Sequence, residues 1–124
     1  MIDFNNGKAI KLSKGKESRI PKEVNELLVG GEVIIGYYIA IRDYVVFTNK
    51  RIISCNVQGI VGAKQDFSSL PYSKIQAFSV ETAGTLDMDS ELTVCLSGLG
   101  SVKFDFSANS NIREIGRTIA EYIL

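Results

Sequence analysis

Basic residues near the predicted tip of a β-hairpin have the chemistry that an anion-binding site needs. Lysine and arginine side chains on loops bind phosphate groups through charge-assisted hydrogen bonds, and beside a membrane they bind anionic lipid headgroups. In the structural alternative, Arg51 forms an ion pair with Asp43 or Glu81, while Lys50 is solvated. The candidate residues for an anionic headgroup are Lys50, Arg51, Lys64 and Lys74.

Few other residues have the types or the spacing that catalysis requires. The chain contains no histidine, which is the commonest general base and metal ligand. It also lacks a Gly-x-x-x-x-Gly-Lys phosphate loop and a Gly-x-Ser-x-Gly nucleophile elbow. Cys55 and Cys95 lie in predicted strands, where cysteine usually acts as a small buried apolar residue. The sequence therefore predicts no catalytic residue, no cofactor and no enzymatic activity.

Acidic residues at alternate positions suggest calcium, because carboxylate oxygens are its preferred ligands. Asp87, Asp89 and Glu91 have this spacing. However, the segment lacks the glycine and the distal glutamate of an EF-hand loop. We therefore expect a solvated loop and the start of a strand, with no metal site.

Composition excludes several classes of protein. The chain has 124 residues, 45% hydrophobic and 23% charged, and its 14 basic and 14 acidic residues balance. A zero net charge gives no general reason to expect nucleic acid as a partner. No apolar stretch at the N-terminus resembles a secretion signal, and no apolar run is long enough to span a bilayer. These features predict a soluble, cytoplasmic protein of one domain.

Charge is uneven along the chain. Residues 1–22 hold six basic and two acidic residues, a net charge of +4. Such a segment is either a basic arm for an anionic membrane surface or nucleic acid, or a solvated lead-in, and we favour the lead-in. We assign residues 1–20 to this basic lead-in segment, in which Ala9–Leu12 adds a short edge strand, and residues 21–124 to a single domain.

The central hairpin covers Tyr44 to Val57 and turns at Asn49 and Lys50. A two-residue turn places Thr48 opposite Arg51, and one face is then assigned to the core: Tyr44, Val46, Ile53, Cys55 and Val57. The other face is apolar near the turn and polar further away. An apolar patch outside the core needs a cover, either from the helix at 21–29 or from another chain. The candidate interface residues are Val45, Phe47, Ile52 and Tyr38.

The rest of the chain alternates as strands and then changes period. A short helix at 21–29 precedes a first long strand at 32–42. In a later strand the apolar residues change from one face to the other, and a β-bulge near Gln76 and Ala77 would explain this change. Isoleucines at helical spacing then follow Asn111, which has capping-box spacing to Glu114. The predicted fold is mainly β: a seven-stranded antiparallel barrel or orthogonal sandwich, capped by a C-terminal helix.

Several short motifs together resemble the bacterial pleckstrin-homology (PH) domain family. They include Gly31-Glu32, Ile41-Arg42-Asp43, Thr48-Asn49-Lys50-Arg51-Ile52, Gln58-Gly59, Pro71-Tyr72-Ser73-Lys74-Ile75 and Phe78-Ser79-Val80-Glu81, with the Leu86-Asp87 loop. The resemblance covers about residues 24–124. It implies a PH-like barrel and cyclic homo-oligomers built by edge-to-edge contact, and it implies no catalytic residues and no established ligand.

The expected function is therefore a non-enzymatic protein-interaction or scaffold module that self-associates into a cyclic homo-oligomer. The alternative is binding of an anionic lipid headgroup of the phosphoinositide kind, although a membrane surface is the less favoured partner. No nucleic acid is expected as a partner.

Overall fold

The computed structural model describes residues 1–4, 8–108 and 110–124, and in this part of the chain it has eight strands and two helices. Helix α1 spans Lys22–Leu27 and helix α2 spans Ile112–Ile123. The strands are β1 Lys8–Lys14, β2 Ile34–Ile39, β3 Tyr44–Thr48, β4 Arg51–Gln58, β5 Lys64–Pro71, β6 Ile75–Glu81, β7 Ser90–Leu96 and β8 Gly100–Phe106.

Strand β1 lies inside the sheet, so the prediction of seven strands with an optional edge strand was wrong at this point. The strand order is β5-β4-β3-β2-β1-β8-β7-β6. Strand β1 pairs antiparallel with β2 and parallel with β8, so the sheet is not purely antiparallel. Leu12 is fully buried, and the register shifts between Ala9 and Leu12, where Lys11 has a positive φ of 48°. This irregularity lies where β1 passes from one neighbour to the other.

The sheet does not close into a full barrel. Strands β5 and β6 stand at the two ends of the strand order, although the chain links them directly through a 3-10 turn at Tyr72–Lys74. Other predicted details are confirmed. Val46 pairs with Ile53 across the central hairpin, and the register of β6 shifts between Ile75 and Ala77, which is the expected bulge.

Both faces of the central hairpin are buried, whereas the prediction placed only one of them in the core. The main core contains Val45, Phe47 and Ile52, which lie on the face that we assigned to the outside. The other face packs under helix α1, whose Val24 is fully buried. This second cluster comprises Val24, Tyr37, Tyr44, Val46, Ile53 and Cys55. Both faces are apolar near the turn, so alternation alone does not show which one the second half of the sheet will cover.

Helix α2 packs against the inner face of the curved sheet, as predicted. Ile112, Ile115 and Ile119 are buried in the same cluster as Leu92, Phe104 and Phe106. The Asn111 side chain accepts a hydrogen bond from the Glu114 N–H at 3.2 Å and thereby caps the helix. Gly116 allows a close approach, because a Cβ at that position would lie 2.8 Å from Cγ2 of Val80 on β6.

Candidate functional site

The Arg51 side chain is held in a bidentate ion pair with Glu32. Arg51 Nε lies 2.9 Å from Glu32 Oε2, and Arg51 Nη2 lies 3.0 Å from Oε1. The same carboxylate accepts a hydrogen bond from the Thr48 hydroxyl at 2.7 Å and from the Val29 N–H at 3.1 Å. Burial alone would raise the pKa of Glu32, but these hydrogen bonds and the Arg51 charge lower it to about 2. The carboxylate therefore stays ionised.

Four of the five N–H donors of Arg51 are engaged within the chain, which leaves one Nη1–H for an external anion. Its Nη2 also donates to the Leu27 carbonyl at 2.7 Å, and its Nη1 donates to the Ser69 hydroxyl at 2.9 Å. The structural alternative, in which Arg51 forms an ion pair within the chain, is thus correct. Its partner is Glu32, however, and neither Asp43 nor Glu81.

Asn49 completes this arrangement at the hairpin tip. Its Oδ1 accepts a hydrogen bond from the Val33 N–H at 2.9 Å, and its Nδ2 donates to the Gly31 carbonyl at 3.0 Å. Together these contacts fasten the segment between α1 and β2 to the turn between β3 and β4. We call the group formed by Glu32, Thr48, Asn49 and Arg51 the polar clasp.

The four basic residues of the predicted anion site do not form one cluster. Lys50 and Lys74 lie on neighbouring turns, because the Tyr72 N–H donates to the Lys50 carbonyl at 3.1 Å. Both lysines are exposed. Lys64 pairs with Gln58 at the far end of β4, about 23 Å from Arg51 at the usual rise of a strand. Of the four predicted residues, only Lys50 and Lys74 are thus exposed on neighbouring turns.

The predicted interface residues are buried inside this single chain. The exposed fraction is 1% for Val45, 3% for Phe47, 0% for Ile52 and 9% for Tyr38. Tyr38 packs edge-to-face on Phe47, with ring centroids 5.7 Å apart. These four side chains belong to the main core, so they cannot be the exposed apolar patch that we predicted. These four residues therefore offer no surface to another chain.

The acidic loop has internal hydrogen bonds and holds no metal-binding cluster within the part of the chain that the structure describes. Asp87 Oδ1 accepts from the Asp89 N–H at 3.0 Å, as in an Asx turn. Glu91 stands opposite Asp105 on β8 and opposite Glu81 on β6. Burial, followed by the neighbouring Asp105 carboxyl group, raises the pKa of Glu91 above its usual range.

The thiol of Cys55 is buried beneath helix α1 with the second apolar cluster. Burial raises the pKa of this thiol, so it stays protonated at neutral pH. Its environment is that of a small core residue.

The two end strands of the sheet expose backbone edges. Strand β5 pairs with β4 over eight residues without a bulge, from Gln58–Lys64 to Arg51–Pro71. Strand β6 pairs with β7 on one side, and its outward residues Ala77 and Ser79 are exposed. Among the described residues, no further strand lies beside either of them. Unpaired N–H and C=O groups along such edges are a template for pairing with another chain.

A cleft opens on the inner side of the curved sheet, between the β2–β3 turn, the end of β1 and strands β4 and β5. Its volume is about 960 Å³, which is within the range of ligand pockets. The main core fills the curved sheet near the tip of the β3–β4 hairpin. At the other end of the hairpin, the cleft is lined by two polar residues of β4, Ser54 and Asn56. We call it the mouth cleft, and its inner wall includes Leu12, Ala40, Val45, Ser54, Asn56 and Asp66.

Two apolar loops lie beside the mouth cleft. The side chains of Ile41, Ile60 and Val61 are almost completely exposed. Arg42 joins the two loops, because its Nη2 donates a hydrogen bond to the Gly59 carbonyl. Isolated exposed apolar residues are common, but three on adjoining loops form an apolar rim. Sequence reasoning missed this feature, although the apolar pair between Gly59 and Gly62 was the available signal.

Two sheet halves that share one strand and a packed C-terminal helix define a PH-like domain. Solved structures support this assignment. A protein with a PH domain from Shewanella loihica is 35% identical, with a TM-score of 0.81, over 92% of this chain and 98% of that one. A PH domain from Shewanella amazonensis is 36% identical, with a TM-score of 0.69, over 90% and 91% of the two chains.

The sequence pattern of the bacterial PH domain family matches residues 3–123. The chain therefore belongs to this family, and the predicted family is confirmed. It is 41% identical to the uncharacterized protein YjqA of Bacillus subtilis over 82% of both chains. In the described residues, neither helix is long and apolar enough to cross a membrane.

Proposed function

We propose that this chain is a non-enzymatic protein-interaction module whose copies assemble edge to edge into a cyclic homo-oligomer. The observation that carries the proposal is the open sheet, with β5 and β6 at its two ends. Soluble proteins rarely leave long strand edges without a cover. The sequence also contains no histidine, which supports a role without catalysis.

A ring follows from the difference between the two edges. Pairing β5 of one copy with β6 of the next is a head-to-tail contact, and such contacts form rings when the rotation between copies closes. The β5 edge is regular and long enough to offer a full set of backbone partners. A ring of this kind would leave neither edge open and would suit a cytoplasmic scaffold.

Light scattering after size exclusion tests the proposal through a matched pair of substitutions. Ser79→Lys places a charge on the outer face of edge strand β6, whereas Ser101→Lys places the same charge on β8, which has neighbours on both sides. We expect the unmodified chain to have a mass several times 13.6 kDa. Ser79→Lys should reduce it to the monomer, because edge lysines oppose strand pairing, and Ser101→Lys should not. A 13.6 kDa species for the unmodified chain at every concentration would contradict self-association.

An alternative function is the binding of an anionic lipid headgroup, and one observation favours it. Lys50 and Lys74 are exposed on neighbouring turns, whereas Lys64 lies at the other end of the β4–β5 hairpin. Sedimentation with anionic vesicles at low salt separates the two functions. For this alternative, the double substitution Lys50→Glu and Lys74→Glu should abolish binding, while Lys64→Glu should leave it unchanged. No sedimentation of the unmodified chain would exclude this alternative.

A further inference from the structure

The first residues of the chain lie along one wall of the mouth cleft. The Ile2 N–H donates a hydrogen bond to the Ser68 hydroxyl at 2.7 Å, and the Ile2 side chain packs against the main core. Ser68 is only 3% exposed and projects from the inner face of β5. The hydrogen bond therefore joins a peptide N–H to a polar side chain that the fold has buried at this position.

Two further contacts hold the same segment. The Met1 amino group forms an ion pair with the Asp66 carboxylate, which also lines the mouth cleft. At the other end, Phe4 packs against the main core, and its carbonyl oxygen would lie 2.9 Å from a Cβ at Gly100. Gly100 has a φ of 116°, so a residue without a side chain lets the segment pass close to β8.

Residues 1–4 leave a large volume of the mouth cleft open. About 960 Å³ remains beside Met1, Ile2 and Asp3, and the exposed side chain of Ile41 lies on its border. The remaining wall combines apolar side chains with polar and charged ones, among them Ser54, Lys11, Arg42 and Asp43. A site with such a wall and a free volume of this size accommodates more chain than the few residues that now occupy it.

We propose that the mouth cleft is a binding site for an extended peptide that presents a cationic group next to an apolar side chain, and that residues 1–4 occupy part of this site in cis. The chemistry of recognition follows from the contacts of the internal segment. Asp66 receives the cation, Ser68 receives a backbone N–H, and the core at the base of the cleft receives the apolar side chain. This inference goes beyond self-association and does not depend on it.

The internal segment then acts as a competitor. A tethered segment has an effective concentration in the millimolar range, so it weakens the binding of a separate peptide that uses the same contacts. Replacing Ile2 with a charged residue removes its apolar anchor and should open the cleft to an added peptide. The full chain carrying Ile2→Asp is therefore the variant to compare with the unmodified chain.

The probe is a peptide with the sequence of residues 1–6, Met-Ile-Asp-Phe-Asn-Asn, with a free amino terminus and a fluorophore at its carboxyl end. We expect fluorescence anisotropy to show binding to Ile2→Asp that is about tenfold tighter, or more, than binding to the unmodified chain. A probe with aspartate in place of isoleucine at its second position should not bind. Ile2→Ala provides a second variant if a thermal melt shows that Ile2→Asp is unfolded.

Substitutions in the cleft wall provide the matched controls. In the Ile2→Asp chain, Asp66→Asn and Ser68→Ala should each weaken probe binding several-fold, whereas Asp87→Asn on the distant exposed loop should not. Absence of probe binding to a folded Ile2 variant would overturn the proposal, as would equal affinity for the variant and the unmodified chain. Binding of anionic vesicles, but not of the probe, by the Ile2 variant would also overturn it and would assign the cleft to lipid.

Discussion

Glu32→Gln is the substitution whose effect follows most directly from the structure. The pKa of Glu32 falls from an ordinary value of 4.5 to about 2, and each pKa unit corresponds to about 1.4 kcal/mol. The ionised carboxylate therefore contributes about 3 kcal/mol to the free energy of unfolding at pH 7. This agrees with the cost of about 3–5 kcal/mol that is typical when one partner of a buried ion pair is removed.

The sign of the pH dependence follows from the direction of the shift. A carboxyl group with a depressed pKa in the folded state stabilises the protein fully above its unfolded pKa, and this contribution is lost as the pH falls through the folded pKa. For Glu32 the window runs from about pH 4.5 down to about pH 2. The difference in stability between the unmodified chain and Glu32→Gln should be constant above pH 5.5 and should disappear near pH 2.

Urea denaturation followed by circular dichroism at pH 7, 4 and 2.5 measures this difference. Glu26→Gln is the matched control, because Glu26 is an exposed residue of helix α1 and such charges usually contribute less than about 0.5 kcal/mol. A second test is the double substitution Glu32→Gln with Arg51→Gln, which should cost less than the sum of the two single changes, since the residues share one contact. If Glu32→Gln costs no more than Glu26→Gln at pH 7, the clasp does not stabilise the fold as we argue.

Three further predictions concern packing and charge. Glu91→Gln should raise the melting temperature at pH 7, because the pKa of Glu91 is raised by burial and by Asp105. The gain should vanish below about pH 4, where the carboxyl group is protonated in both the folded and the unfolded state. A gain in melting temperature that persists there would contradict the raised pKa. Gly116→Ala should lower stability by about 1–2 kcal/mol in urea, although alanine favours helices, because its Cβ would meet Val80; adding Val80→Ala should restore the loss. Ile119→Asp should abolish the cooperative thermal transition, because this side chain is fully buried on the inner face of α2, and an unchanged melt would refute that packing.

The local sequence pattern predicted the helices, strands and turns better than it predicted which strands lie side by side. The pairing of Val46 with Ile53 and the capping of α2 by Asn111 were correct because each depends on residues close together in the sequence. The central position of β1 was missed because its side chains alternate weakly and its partner β8 lies some 90 residues away. Nothing in the seven residues of β1 identifies such a distant partner.

The assignment of the hairpin faces and the choice of interface residues were wrong for a related reason. Ser54 and Asn56 are polar, so we placed their face outside, but they line the inner wall of a shell that is open at that end. A polar stripe inside a strand is a sign of solvent access, and it does not by itself distinguish a cleft from an outer surface. The cleft depends on how two sheet halves diverge from β1, which is a property of the tertiary arrangement.

The motifs that identify the family are used for internal contacts, and this limits what the family implies about binding. Thr48, Asn49 and Arg51 form the clasp with Glu32. The Ile41-Arg42-Asp43 motif has a similar structural role, because Asp43 Oδ1 accepts from the Val57 N–H at 2.8 Å while Arg42 bonds to a loop carbonyl. Side chains already engaged in this way position loops and have few donors left for a ligand. The two binding proposals therefore use surfaces that the motifs frame, namely the strand edges and the mouth cleft, and we expect substitutions there to change binding without unfolding the domain.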